Sequence, residues 1–136
     1  MIDKEIIKIA SNTENHGVLN NHTHFSKLKN AICGDEMKIY LIVEDNKITD
    51  FRYECESCIY CQASVSLLSR NAKNKSIEKF KNFAEKAKNC FKKNTNSFDK
   101  EWKEFGKIMT KNNISRKECL LLPVNTTLDA LNKKSL

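Results

Sequence analysis

Six cysteines stand in this 136-residue chain, at positions 33, 55, 58, 61, 90 and 119, and three of them have neighbours that suit chemistry. Cys33 opens Cys33-Gly34-Asp35, where a thiol and a carboxyl two residues apart could offer sulfur and oxygen to one metal ion. Gly34 between them tolerates strained dihedrals and lets backbone approach an ion closely. By itself the tripeptide also reads as a turn before a strand. Cys58 stands where a strand pattern gives way to a helix pattern. A thiolate there gains from the helix dipole and the unpaired N–H groups, which lower its pKa. Cys119 follows Arg116 by one helical turn, and that cation favours the thiolate form. Taken singly, each of the three could instead be a small buried hydrophobe.

The remaining cysteines read differently. Cys55, Cys58 and Cys61 make Cys-x-x-Cys-x-x-Cys, the opening of a bacterial ferredoxin run. Val65 occupies the place of the fourth ferredoxin cysteine and no proline follows, so that reading falls away. Cys61, a turn beyond Cys58, could be an auxiliary thiol. The structural reading is preferred for it and for Cys55, which shares a strand face with Phe51 and Tyr53. Cys90 lies on a Phe-rich helix face and is expected in the core. His16, His22 and His24 sit in a polar N-terminal stretch that reads as a solvated loop, with nothing to aim them at the cysteines.

With 40% hydrophobic residues, the chain can bury a core without disulfides, and residues 1–136 read as a single domain. Three Gly and one Pro leave no room for a long linker. Met1-Ile2-Asp3-Lys4-Glu5 is charged where a signal peptide is apolar, and the longest apolar runs, 39–43 and 120–124, are far too short for a bilayer. The expectation is a cytoplasmic protein without membrane contact, in a compartment where cysteines serve as ligands or reactive thiols. A net charge of +7 would suit nucleic acid or acidic partners. The lysines are scattered, however, and no aromatic–basic motif accompanies them, which disfavours nucleic-acid binding.

The elements that must carry these residues follow from periodicity. A short helix is predicted over 2–10 and an edge strand around 22–29. Alternation over 37–43 and 48–55, separated by Glu44-Asp45-Asn46-Lys47, predicts an antiparallel hairpin. Beyond Cys58, Ala63, Ser64, Ser66 and the Leu67-Leu68 pair suit a closely packed helix. Ile77, Phe80, Phe83, Ala84, Ala87 and Phe91 predict an amphipathic helix over 76–91 with Ser76 as its N-cap. Phe98, Trp102, Phe105 and Met109 predict another over 97–110. A last helical stretch starting near Ser115 should break or kink at Pro123 and resume near Thr127. The fold class is α+β, a small antiparallel sheet packed against a helical layer.

Four ordered motifs on this frame resemble the U-type iron–sulfur cluster assembly proteins, the family of IscU, SufU and the NifU N-terminal domain. Asn12, Asn15 and Gly17 are similar to its Asn-Pro-x-Asn-x-Gly segment, with Thr13 in the proline place. Asn30-Ala31-Ile32-Cys33-Gly34-Asp35 resembles Asn-Pro-x-Cys-Gly-Asp. Cys58 with Ala63-Ser64-Val65-Ser66, and Arg116 with Cys119, Leu121 and Leu122, complete the set. The 61-position gap from Cys58 to Cys119, and Glu118 where the IscU sort has His, make the chain more similar to the SufU sort. Glu118 departs from that sort too, which usually carries Lys there.

The resemblance implies that Cys33, Asp35, Cys58 and Cys119 bind either Zn²⁺ or a transient [2Fe–2S] cluster. It implies Cys119 as sulfur acceptor, a cysteine desulfurase as donor partner, recipient apoproteins, and a monomer or weak dimer. Three thiolates and a carboxylate form a tetrahedral set suited to zinc, and a hard oxygen among soft sulfurs suits a site that must release its cargo. Two other readings stand beside this one: a zinc module in which the metal only staples the fold, and a basic nucleic-acid adaptor with merely buried cysteines.

Overall fold

A computed structural model describes residues 4–32, 34–91 and 98–133. The predicted hairpin is its centre. Strand β2 (Glu36–Glu44) pairs antiparallel with β3 (Lys47–Glu56), and the two-residue turn holds Asp45 at φ 51° and Asn46 at φ 62°. Both angles are positive, as a type I′ turn requires, and Asp and Asn tolerate them better than most residues. β1 (His24–Lys29) lies along the other edge of β2. A two-residue strand, β4 (Lys75–Ser76), closes the order β1-β2-β3-β4. Two residues carry no detectable period, and only their pairing with Lys47 and Ile48 defines them.

Period-two alternation decides which face is buried. Ile39 lies opposite Tyr53 and Leu41 opposite Phe51, all buried, and helices cover that face. α2 (Ile59–Asn71) is the central helix, buried continuously from Ala63 to Ser69, and it packs against α1 (Lys4–Ala10) and α4 (Lys117–Asn132). Small residues at 63, 64 and 66 permit that close approach. Their hydroxyls add bonds: Ser64 donates to the Leu120 carbonyl at 2.6 Å and Ser66 to the Asn12 carbonyl at 2.7 Å. α3 (Ile77–Cys90) begins as predicted, Ser76 Oγ accepting from the Lys79 N–H at 3.1 Å. Its aromatic face carries Phe83, which stacks on Trp102 with centroids 4.2 Å apart.

Three expectations are corrected. The segment read as a helix over 97–110 forms a 3₁₀ helix at Lys100–Lys107, followed by another at Lys111–Arg116. Trp102 and Phe105, three apart, both turn onto Phe83, and a three-residue turn aligns such a pair. The last helix begins at Lys117, close to the expected start near Ser115. It runs through Pro123 unbroken. A proline removes one helical bond at a cost of roughly 3 kcal/mol. Leu120, Leu122, Val124 and Ala130 are all buried along α4, which outweighs that cost, and the Thr126 and Thr127 hydroxyls bond the Leu122 and Pro123 carbonyls at 2.7 and 2.8 Å. Finally, His16 is exposed in the N-terminal loop as expected, but the other two histidines are not loosely solvated. His22 is half-buried against Phe25 and Tyr40, and His24 lies on β1 against Thr23. Burial lowers the His24 pKa.

The Asn12/Asn15/Gly17 segment sews the N-terminus to the rest. Asn15 is buried, donates to Ser69 Oγ at 3.1 Å and accepts from Lys73 Nζ at 2.6 Å. The Gly17 N–H donates to the Tyr53 carbonyl at 2.8 Å from a φ of 143°. No atom would lie within 4 Å of an added Cβ, so the glycine is there for its backbone freedom and not for space. Gly17→Ala is therefore expected to cost about 1–3 kcal/mol in urea unfolding; a midpoint equal to that of the wild type would remove this account.

Candidate metal centre

Three separate parts of the fold meet at one end of the sheet. The first is the loop before β2. Asn30 holds it at both ends: its N–H donates to the Asp35 carbonyl at 2.7 Å, and its own carbonyl accepts from the Gly34 N–H at 2.8 Å. Asn30 Oδ1 also accepts from the Ile32 N–H at 3.0 Å. Gly34 takes φ 76°, a left-handed angle that a side chain would strain. Asp35 leaves this loop 93% buried, at 7% exposure. The second part is Cys58, the N-cap of α2, and the third is Cys119, buried in the first turn of α4.

One ligand atom from each of Asp35, Cys58 and Cys119 lies within 4.8 Å of the other two. Zinc–sulfur bonds of about 2.3 Å put tetrahedral ligand atoms roughly 3.8 Å apart, so small side-chain rotations suffice to bring these three onto one ion. The carboxylate itself points to a cation. Asp35 Oδ1 accepts from the Cys58 N–H at 3.2 Å, while Oδ2 is buried with no hydrogen-bond partner among the described residues. A buried carboxylate oxygen left unpaired is costly unless something positive meets it. Two sulfurs and this oxygen fit a borderline-soft divalent ion. Cys33, the fourth residue expected at the site, lies outside the described residues.

Cys55 and Cys61 flank the centre without joining its three-atom group. Cys61 is fully buried, and burial pushes its thiol pKa far up. Cys55 is half-buried. Burial raises its pKa, the charges of Asp35 and Cys58 add to the rise, and Ser57 opposes it. It also lines a shallow polar pocket with His16, Glu36 and Glu56, a surface position that strand periodicity does not reveal. Cys90 is buried, as expected, its thiol raised to about 11. In the folded, metal-free protein, Cys61 and Cys90 should therefore react slowest with iodoacetamide and the half-exposed Cys58 faster, by peptide mapping; equal rates would contradict this burial order.

Two contacts with a bearing on the site carry no local sequence signal. Ser64 bonds the carbonyl next to Cys119, tying α4 to α2. Tyr60, two residues after Cys58, lies under the Arg116 guanidinium, 5.2 Å from the ring centroid. Among the described residues no helix is long and apolar enough to cross a membrane.

Comparison with known proteins gives a consistent result. Residues 1–97 match the model of the NifU-like N-terminal domain. The iron–sulfur cluster assembly scaffold protein IscU of Thermotoga maritima is 30% identical over 135 residues, covering 99% of this chain and 95% of that one. The zinc-dependent sulfurtransferase SufU of Bacillus subtilis is 31% identical over 67 residues, 49% of this chain and 45% of its own. Among solved structures, a NifU-like protein (N-terminal) from Brucella abortus superposes with a TM-score of 0.87 at 22% identity, covering 95% of this chain and 90% of that one. SufU from Fervidobacterium islandicum, described as a cluster assembly scaffold for the SUF system, superposes at 0.84 with 25% identity and 96% of both chains.

Proposed function

Since this chain belongs to the NifU-like N-terminal domain family, we propose that it serves iron–sulfur cluster assembly, with Cys33, Asp35, Cys58 and Cys119 as the ligand set. The supporting observation is the convergence of Asp35, Cys58 and Cys119, from a loop and two helix starts, with one buried carboxylate oxygen that has no hydrogen-bond partner among the described residues. Relatives carry two named roles, scaffold and zinc-dependent sulfurtransferase, and the same ligand set serves either. Zinc bound there would keep the thiols deprotonated at neutral pH.

In the sulfur-accepting role, Cys119 is the acceptor. Its thiolate attacks the outer sulfur of a persulfide on a cysteine desulfurase. The donor's S–S bond breaks, the donor cysteine leaves as thiolate, and Cys119 carries the new persulfide; no external oxidant or reductant is consumed. The Asp35 carboxylate, held by the Cys58 N–H, stays in place while the thiol reacts. In the scaffold role, iron and sulfide are cargo built up on the same donors and passed to recipient apoproteins.

The test is anaerobic purification, metal analysis and a desulfurase assay with cysteine as substrate. About one zinc or iron per chain is expected, with faster desulfurase turnover on adding the protein for the acceptor role. A visible-band cluster formed from iron and sulfide is expected for the scaffold role. Bound metal with neither effect would reduce the site to a structural staple.

A further inference from the structure

The contact between Tyr60 and Arg116 spans the same gap as the metal centre. Tyr60 is in the first turn of α2, two residues after Cys58; Arg116 is the N-cap of α4, three residues before Cys119. The Arg116 guanidinium carbon lies 5.2 Å from the Tyr60 ring centroid, within the range of cation–π attraction. The two helix starts that carry Cys58 and Cys119 are thus joined by protein groups alone. Farther in, the Ser64–Leu120 bond makes a second tie between the same helices. The Asp35 loop has a different attachment, its carboxylate receiving the Cys58 N–H.

We propose that Tyr60 and Arg116 are a positioning pair. They clasp α2 to α4 and hold Cys58 and Cys119 within bridging distance before any ion arrives. This deepens the metal-site reading and rests on it for its purpose. Ligands already held together lose less freedom on binding, so the clasp raises affinity without touching the ion. Tyr60 is half-buried and Arg116 exposed, and an exposed cation–π pair shifts populations by roughly two- to fivefold. An aromatic face is what the contact requires, so the tyrosine hydroxyl is dispensable.

The experiment reads the metal-free protein first. A short thiol-bridging reagent, dibromobimane, is added, and the Cys58–Cys119 cross-linked peptide is quantified by mass spectrometry. Tyr60→Ala and Arg116→Ala should each slow its formation about two- to fivefold. Tyr60→Phe should match the wild type, and the double Tyr60→Ala/Arg116→Ala variant should be no slower than either single one. Arg116 is exposed, so its variant remains informative even where Tyr60→Ala disturbs folding. Unchanged cross-linking in Arg116→Ala, or single effects that multiply fully in the double variant, would overturn the clasp. Zinc affinity by chelator competition should fall in parallel. A wild-type protein that takes up no zinc or iron would defeat the metal-site reading, while the cross-linking still decides the clasp.

Discussion

Replacing Cys58 with alanine is expected to leave the purified protein without stoichiometric metal and to abolish its effect on a desulfurase. Structural zinc sites bind with about 10–16 kcal/mol over four ligands, so one thiolate accounts for roughly 3–4 kcal/mol, about a hundred- to a thousandfold in affinity. The loss should be selective. Cys58 is half-buried at a helix N-cap where its side chain makes no capping hydrogen bond, so its removal leaves a small void and no orphaned capping N–H. The thermal midpoint of the metal-free variant should stay close to that of the metal-free wild type. Cys55→Ala provides the contrast, because Cys55 is outside the three-atom group and its loss should leave metal content unchanged. Retention of a full metal equivalent by Cys58→Ala would place the ion elsewhere.

Phe83→Ala should produce the largest loss of stability. The ring is 2% exposed, stacks on Trp102, and lies 4.7 Å from Phe105 and 5.7 Å from Phe98, centroid to centroid. Deleting a buried phenylalanine costs about 3–5 kcal/mol through lost transfer energy and the cavity left behind. Against a total of roughly 5–15 kcal/mol, such a change consumes much of the margin. There is a functional consequence as well. The 3₁₀ helix carrying Trp102 and Phe105 leads through a second one directly to Arg116 and Cys119, so loosening its anchor should widen the metal centre before the sheet unfolds. Urea unfolding followed by Trp102 fluorescence measures the first effect; zinc release at urea concentrations below the main transition measures the second. A loss under 1 kcal/mol would show that the aromatic cluster is not the anchor described.

Acid should act on β1 through His24. Burial sets its folded pKa below the ordinary value of 6.5. Between those two values the unfolded chain binds the proton and the folded one does not, so stability falls as pH drops below about 6.5. His24→Gln should flatten that part of a melting-temperature profile. A profile with the same slope in both proteins would assign the acid sensitivity to another group.

Local pattern was sufficient wherever a segment's structure depends on its own period. The alternation of 37–43 and 48–55 around Asp45-Asn46 specifies the hairpin and its buried face, because each side chain's direction follows from the pleat. Ser76 and the Phe80/Phe83/Ala84/Ala87 spacing specify α3 in the same way. Asp35, Cys58 and Cys119, which the fold brings together, stood out as candidates because their motifs are short and ordered, while Cys33 lies outside the described residues. Tertiary structure decided the rest. Pro123 stays helical because buried neighbours on both sides outweigh one missing bond, and β4 exists only through its pairing with β3. Cys55 and Cys58, three residues apart and chemically alike, differ because one lies on a strand while the other starts a helix facing Asp35 and Cys119. Such distinctions depend on contacts between residues far apart along the chain, some more than fifty positions, as Ser64 with Leu120 and Tyr60 with Arg116, and a local period carries no information about them.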